Sequence, residues 1–280
     1  MSVCAVAMVR DEQDVIRYWV EHTATQVDAL IVADNLSTDG TRELLDELAD
    51  DYPLTVVDDP EPGYFQSEKM SVLAAQALAA GHTWAVAMDA DEHWSCGDYT
   101  RPIRDFLDGL APDIRVVTAD LFNHIPTALD PPSTARHPLT DEALPSVPNP
   151  FERIGWRKRE CAPLPKVCAR LCDGLLIRQG NHASWMPGPM PVCGGLVVRH
   201  YSWRSREQYA HKIEVGARAY AATDLPEGVG THWRMFGLPP DDPAELAEWR
   251  ERVGDHFETW FYSARPEQDS SLIFDPAPMP

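Results

Sequence analysis

Apolar residues come in short unbroken runs that end on polar corners, and the first three runs are each followed by apolar positions at helical spacing. Val3 to Val9 is the first run, Arg10-Asp11-Glu12 stands at its end, and Val15, Ile16, Trp19 and Val20 then recur as one helical face. Ala29 to Ala33 follows, closed by the polar loop Asp34 to Thr41, with Leu44, Leu45 and Leu48 as the next face. Leu54 to Val57 turns through Asp58-Asp59-Pro60-Glu61-Pro62-Gly63 into an Ala-rich helix predicted over Ser67 to Ala80, with Met70, Leu73, Ala74, Ala77 and Leu78 facing inward. Trp84 to Met88 is the fourth run. Continuous apolar runs suit strands buried on both faces, and the strand-helix alternation predicts an α/β fold with a parallel, doubly wound sheet. All the polar corners then gather at one sheet edge.

Beyond Thr100 the pattern loosens. Ile103, Phe106, Leu107 and Leu110 predict a short helix, and Ile114 to Phe122 a strand. Residues 126–150 are proline-rich and without period, and a loop of that length in a compact domain is functional or disordered. Short strands follow at Lys166 to Leu171, at Leu175 to Gln179 before Gly180-Asn181-His182, and at Leu196 to His200 before Tyr201-Ser202-Trp203-Arg204-Ser205-Arg206. Helices are expected over Glu207 to Ala222 and Ala244 to Val253. Phe257, Trp260, Phe261 and Tyr262 form an aromatic group in a tail expected to wrap the body or cover the site.

The chain has 280 residues and an apolar fraction of 44%, enough for an ordinary core. A formal charge of -20 argues against nucleic-acid or anionic-membrane partners, which call for a basic face. No apolar run approaches the ~20 residues of a membrane span, and the N-terminus lacks a signal-peptide layout, so a cytoplasmic protein is expected. The six cysteines fit reduced thiols. Cys161, Cys168, Cys172 and Cys193 lie close in sequence but include no Cys-x-x-Cys pair, which gives a zinc site little support.

Chemistry concentrates at Asp89-Ala90-Asp91. In locally extended chain, carboxylates two residues apart point the same way and can share a divalent cation. Mg²⁺ or Mn²⁺ held by one or two carboxylates, with phosphate oxygens and water completing the shell, is how a nucleoside diphosphate is handled. Taken alone, the motif reads as readily as an acidic loop after a strand. Asp34 is placed to accept from a nucleobase or ribose, although Ser37, Thr38 and Asp39 also make that loop a turn with a helix cap. Gln66 and Lys69 stand at a helix start, where amide groups and a cation can meet phosphate. There is no Gly-x-Gly-x-x-Gly after the first strand and no Gly-x-x-x-x-Gly-Lys-Ser/Thr, which excludes the usual dinucleotide and P-loop sites.

The set Met8-Val9-Arg10-Asp11-Glu12, Asp34 to Thr41, Met88-Asp89-Ala90-Asp91-Glu92, Gly180-Asn181-His182 and His200 to Ser205 resembles the family-2-type glycosyltransferases with the GT-A fold. The likeness spans roughly residues 1–216. It implies a GT-A-like, Rossmann-like central sheet, with a nucleotide-binding half at 1–99, an acceptor-binding half at 100–216 and a C-terminal extension at 217–280. It also implies metal-dependent, inverting sugar transfer from a nucleoside-diphosphate sugar, UDP-sugar favoured, to a hydroxyl or amine acceptor. Without a membrane segment, the expected acceptor is a soluble small molecule.

On these positions, Arg10, Glu12, Asp34 and Asn35 would meet base and ribose. Asp91 would be the direct metal ligand, Asp89 would act on ribose or metal-bound water, and His200 would be the C-terminal ligand. Arg204, with Arg206 and Lys212, would neutralise diphosphate beside Lys69. Many relatives carry the base as the Asp of a Glu-Asp dipeptide well beyond the metal motif, and none stands there in this chain. His182, Asp173 and Glu160 are the candidates. His182 is favoured because it follows a strand beside a Gly-Asn turn, and neutral imidazole suits base chemistry near pH 7. Trp94, Trp156, Trp185, Trp203 and Trp233 offer flat faces for a sugar. The alternatives are a nucleotidyltransferase, whose glycine-rich loop is absent, or a catalytically silent nucleotide-sugar-binding protein.

Overall fold

The first apolar run forms β1 (Val3–Val9) in the computed structural model, which describes residues 1–97, 100–124 and 164–257 and the backbones of short strands at 156–158 and 272–274. Next come α1 (Ile16–Gln26), β2 (Ala29–Asp34), α2 (Thr41–Leu48), β3 (Leu54–Asp58), α3 (Gln66–Ala79) and β4 (Trp84–Met88). These are the alternating units the apolar pattern predicts. They pair as parallel neighbours in the order β3-β2-β1-β4, with Val9 beside Asp34 and Ala7 beside Met88, so the strand ends lie nearly level.

The sheet continues through strands of the second half. β5 (Glu92–Cys96), α4 (Ile103–Asp108), β6 (Val116–Asn123), β7 (Trp156–Lys158), β8 (Lys166–Arg170), β9 (Leu176–Ile177), β10 (Ser184–Trp185) and β11 (Val192–His200) follow in order. The complete order is β3-β2-β1-β4-β8-β6-β11-β5. β8 runs antiparallel to both its neighbours and β5 antiparallel to β11, so the other six strands share one direction. This is the mostly parallel, helix-flanked, GT-A-like α/β architecture that the resemblance implies. β5 was not expected, because Glu92 and His93 read as loop. It is nonetheless a fully buried strand, since both polar side chains find partners inside.

Alternate residues of β1 feed two layers, as a strand covered on both faces requires. Val3, Ala5, Ala7 and Val9 join Trp19, Val20, Leu45 and Leu107 on one face. Cys4 and Val6 join Met70, Leu73, Ala74 and Ala77 of α3 on the other. Cys4 and Cys168 are thiols inside these layers, and burial pushes the Cys4 pKa up to about 12. In β11 a bulge between Cys193 and Leu196 places Gly195 at φ 129° against the Phe106 ring, where a Cβ has neither the backbone freedom nor the space.

α5 (Arg206–Ala221), α6 (Thr231–Arg234), α7 (Pro243–Phe257) and β12 (Leu272–Phe274) complete the described elements. Tyr209 and Ile213 of α5 close on Trp249, Val253 and Phe257 of α7, so the expected division at residue 216 falls inside a packed helix. Among the described residues no helix is long and apolar enough to cross a membrane. The proline-rich stretch 126–150, Glu160, Cys161, the Trp156 side chain, Trp260, Phe261 and Tyr262 lie outside the described residues.

One buried pair ties α1 to β5. His22 and His93 stack with ring centroids 3.4 Å apart, and His22 Nε2 lies 2.7 Å from the Trp94 carbonyl oxygen. Burial lowers the His22 pKa to about 4 and holds His93 well below its usual range. The unfolded chain therefore takes up these protons first as pH falls below about 6.5. Stability contributed by the neutral pair is present above that pH and lost on descent towards pH 4, by about 3 kcal/mol for His22 alone. Denaturant titrations between pH 7.5 and 5 should show this fall, with a shallower slope in His22→Gln. Identical slopes would rule the pair out as the source.

Candidate functional site

Six of the sheet strands end at one edge, and the two reversed strands begin there. The edge therefore collects Arg10 to Glu12 after β1, Asp34 at the end of β2, Asp89 to Asp91 after β4 and Glu92 opening β5. It also collects Asn123 ending β6, Lys166 opening β8 and His200 ending β11. The described residues with positive φ other than glycine are Asp11, Leu36 and Asn181, and all three lie in loops at this edge. Backbone strain of this kind persists where surrounding structure enforces it, and it clusters at functional sites.

Asp89 and Asp91 do not share one partner, because the chain turns between them, with Glu92 N–H donating to the Asp89 carbonyl. Asp89 Oδ2 accepts from Lys166 Nζ at 2.7 Å, and its Oδ1 from Gln66 Nε2 at 3.2 Å and Asn181 Nδ2 at 3.1 Å. It anchors the Gly180-Asn181 turn. Lys166 also lies 2.6 Å from Glu92 Oε1, and Trp94 Nε1–H donates to Glu92 Oε2 at 2.9 Å. Burial pushes the Glu92 carboxyl up to about 7 against the pull of Lys166.

Asp91 is buried, and its Oδ2 meets two groups, the Lys212 ammonium of α5 and His200 Nε2 at 3.6 Å. Burial alone would raise its pKa, but Lys212, His200 and Arg204 outweigh it and hold the carboxyl well below the usual range. His200 Nδ1 lies 2.8 Å from Asn123 Oδ1, which accepts its proton, and Nε2 faces Asp91. That arrangement fits two ligands of one Mg²⁺ or Mn²⁺ ion: metal-ligating histidines carry such a second hydrogen bond, and Mg²⁺ needs only one or two carboxylates when phosphates complete its shell. Among the described residues no group of three or more His, Cys, Asp or Glu side chains is gathered to hold a metal, so substrate and water would supply the remaining positions.

At the ends of β1 and β2, Asp34 Oδ1 is buried without a hydrogen-bond partner, and so is Arg10 Nε. Asp11 accepts from the Thr38 N–H at 2.6 Å and pairs with His211 of α5 at 2.9 Å, which locks the β1 corner to the β2 loop. His182 Nδ1 lies 3.1 Å from the Pro165 carbonyl oxygen, so the ring proton sits there and Nε2 keeps its lone pair. Burial and Lys166 lower its pKa, leaving the imidazole neutral at pH 7.

Other expected residues are occupied elsewhere. Asn35 Nδ2 holds the Asp59 and Glu61 carbonyls, and Lys69 pairs with Asp59 at 2.7 Å, so both brace the turn after β3. Arg204 lies beneath the edge with its guanidinium on Glu12 and Asp14, and Arg206 bonds Glu251 and Asp255 of α7. Asp173 stands at the opposite end of the sheet, because reversed β8 carries the chain from Lys166 at the site to Arg170 beside Trp84. Trp94 is core, Trp203 and Trp233 pack with α5 and α7, and Trp185 is exposed. Sequence reasoning missed Lys166, Glu92 and Asn123. The one signal was a lysine opening an otherwise apolar run.

Removing Arg204 would leave Glu12 buried without its guanidinium. Arg204→Met should lose about 3 kcal/mol in denaturant unfolding, the lower end for a broken buried pair because Asp14 is half-exposed. A loss under about 1 kcal/mol, the range of surface pairs, would contradict it.

No protein-family model matches the chain, and no match is found among curated proteins. Among solved structures it is similar to S. aureus TarS 1-349 in complex with UDP, at 13% identity and a TM-score of 0.40, covering 93% of this chain and 74% of that one. The same protein in complex with UDP-GlcNAc gives 14% identity, a TM-score of 0.41 and the same coverage. GalNAc-T7 with UDP, GalNAc and Mn²⁺ gives 13% identity and a TM-score of 0.42, covering 93% of this chain and 58% of that one. Likenesses this distant say nothing about the substrate of this chain.

Proposed function

We propose that the chain is an inverting glycosyltransferase that moves a sugar from a nucleoside-diphosphate donor to a hydroxyl or amine acceptor. The observation that carries this reading is Asp91 facing His200 Nε2, with Asn123 Oδ1 holding Nδ1, at the edge where Asp34 keeps an unpartnered acceptor. A buried carboxylate oxygen suits a ring N–H, which uracil, thymine and guanine carry, and UDP is the first donor base to test. Mn²⁺ or Mg²⁺ on Asp91 and His200, with phosphate and water completing the shell, supplies Lewis-acid stabilisation of the departing diphosphate.

The chain's own groups do the rest. Asp34 and Arg10 orient base and ribose, so that binding energy positions the anomeric carbon. Lys212 has the solvent access that Lys166 and Arg204 lack, with 20% of its side chain exposed against 4% and 3%, so it is the cation of the three placed to meet phosphate. His182 Nε2 takes the acceptor proton as the acceptor oxygen attacks opposite the leaving group.

Calorimetry with UDP, GDP and dTDP, each with and without Mn²⁺, tests the reading. One nucleotide should bind in a metal-dependent way, and Asp91→Asn should weaken it at least tenfold. No binding of any of the three would overturn the proposal. Once a donor is known, His182→Ala should lower kcat by about 10²- to 10⁴-fold without changing nucleotide affinity. The lowered His182 pKa puts the acid limb of the wild-type kcat/KM profile, which reports the free enzyme, below pH 6.5, because activity needs the neutral ring.

A further inference from the structure

Asp91 Oδ2 is claimed twice. It is the oxygen that faces His200 Nε2 at 3.6 Å, and it is also the oxygen in contact with the Lys212 ammonium. A divalent ion held by Asp91 and His200 would compete for that oxygen, the one that lies nearest Nε2. An ammonium already on the same oxygen repels such an ion at close range, where the field is only weakly screened. The two cations are therefore alternatives at this atom.

Lys212 also has somewhere else to go. Its Nζ lies 3.5 Å from Glu12 Oε1, and its flexible stem carries three donors that can swing within the edge. Lys166 and Arg204 have no such freedom, being enclosed with short contacts to two carboxylates each. A nucleoside diphosphate adds negative charge beside Asp91, which both draws a divalent ion in and offers the ammonium a new partner.

We propose that Lys212 is a tethered counter-ion that keeps divalent metal off Asp91 in the free protein and passes to the diphosphate when metal and nucleotide arrive together. Metal loading is then conditional on nucleotide, and the same side chain that blocks the ion becomes a diphosphate contact. This rests on the glycosyltransferase reading for the identity of the anion. Its first half needs only Asp91, His200 and Lys212.

The test is binding of Mn²⁺ to nucleotide-free protein, read from the electron paramagnetic resonance signal of free Mn²⁺. Lys212→Met should bind Mn²⁺ at least tenfold more tightly than wild type. Lys212→Arg, which keeps the charge, should stay weak, and the double variant Lys212→Met with Asp91→Asn should lose the gain. At saturating Mn²⁺, Lys212→Met should also bind UDP, GDP or dTDP, whichever the wild type prefers, at least tenfold more weakly. Circular dichroism confirms that each variant is folded. A folded Lys212→Met with unchanged Mn²⁺ affinity overturns the inference, as does wild-type protein that takes Mn²⁺ as tightly without nucleotide as with it. Failure of all three nucleotides to bind, alongside a Lys212→Met gain in Mn²⁺ affinity, would refute the glycosyltransferase reading and leave the counter-ion standing.

Discussion

Four carboxylates at one sheet edge, those of Glu12, Asp89, Asp91 and Glu92, are sustained by three cations that come from the other half of the chain. Lys166 sits on Asp89 and Glu92, Arg204 on Glu12, and Lys212 on Asp91. An ionised carboxylate moved from water into a protein interior without such partners costs several kcal/mol or neutralises itself. The acidic edge of the first hundred residues is therefore incomplete until strands and helix from beyond residue 160 dock against it. Burial still pushes the Glu92 carboxyl up to about 7, against the pull of Lys166.

Chain direction makes the pairing possible. Had β8 run parallel to its neighbours, Lys166 would open at the far end of the sheet, where Asp173 now stands. Reversal of β5 likewise puts Glu92 against His200 in register. The two reversed strands thus carry polar groups to an edge otherwise made by the carboxyl ends of parallel strands, the place where ligands bind in open α/β sheets. Asp11 on His211 and Arg204 on Asp14 fasten the first corner to the segment after β11, so the loops at the edge are held from both sides.

Within that frame, differences in burial separate roles among groups of the same type. Lys166 and Lys212 are both lysines on an aspartate, but one is enclosed and the other reaches solvent. Asp89 has both oxygens engaged by protein donors, while Asp91 has one oxygen contested between an ammonium and an imidazole. A residue whose polar atoms are already matched acts as a brace. Asp34 differs, because one of its buried oxygens is left without a partner.

The sequence by itself determined the strand-helix alternation through β4. Continuous apolar runs and faces at helical spacing are local patterns, and the predicted strands at Val3 to Val9 and Trp84 to Met88 match the structure residue for residue. It also determined which edge carries the acids, because each run ends on a polar corner. Only the tertiary structure decided what those acids do. Asp89 and Asp91 lie two apart in sequence, yet a turn between them sends each to a different lysine. The protein partners of Arg204, Asn35 and Lys69, which are carboxylates and carbonyls, could not be read from the chain either. β5 was hidden because its polar residues are satisfied by groups remote in the chain, such as Lys166 for Glu92 and His22 for His93. Pairing between residues so far apart in the chain leaves no trace in local periodicity, since it depends on strand direction and burial that exist only once the chain has folded.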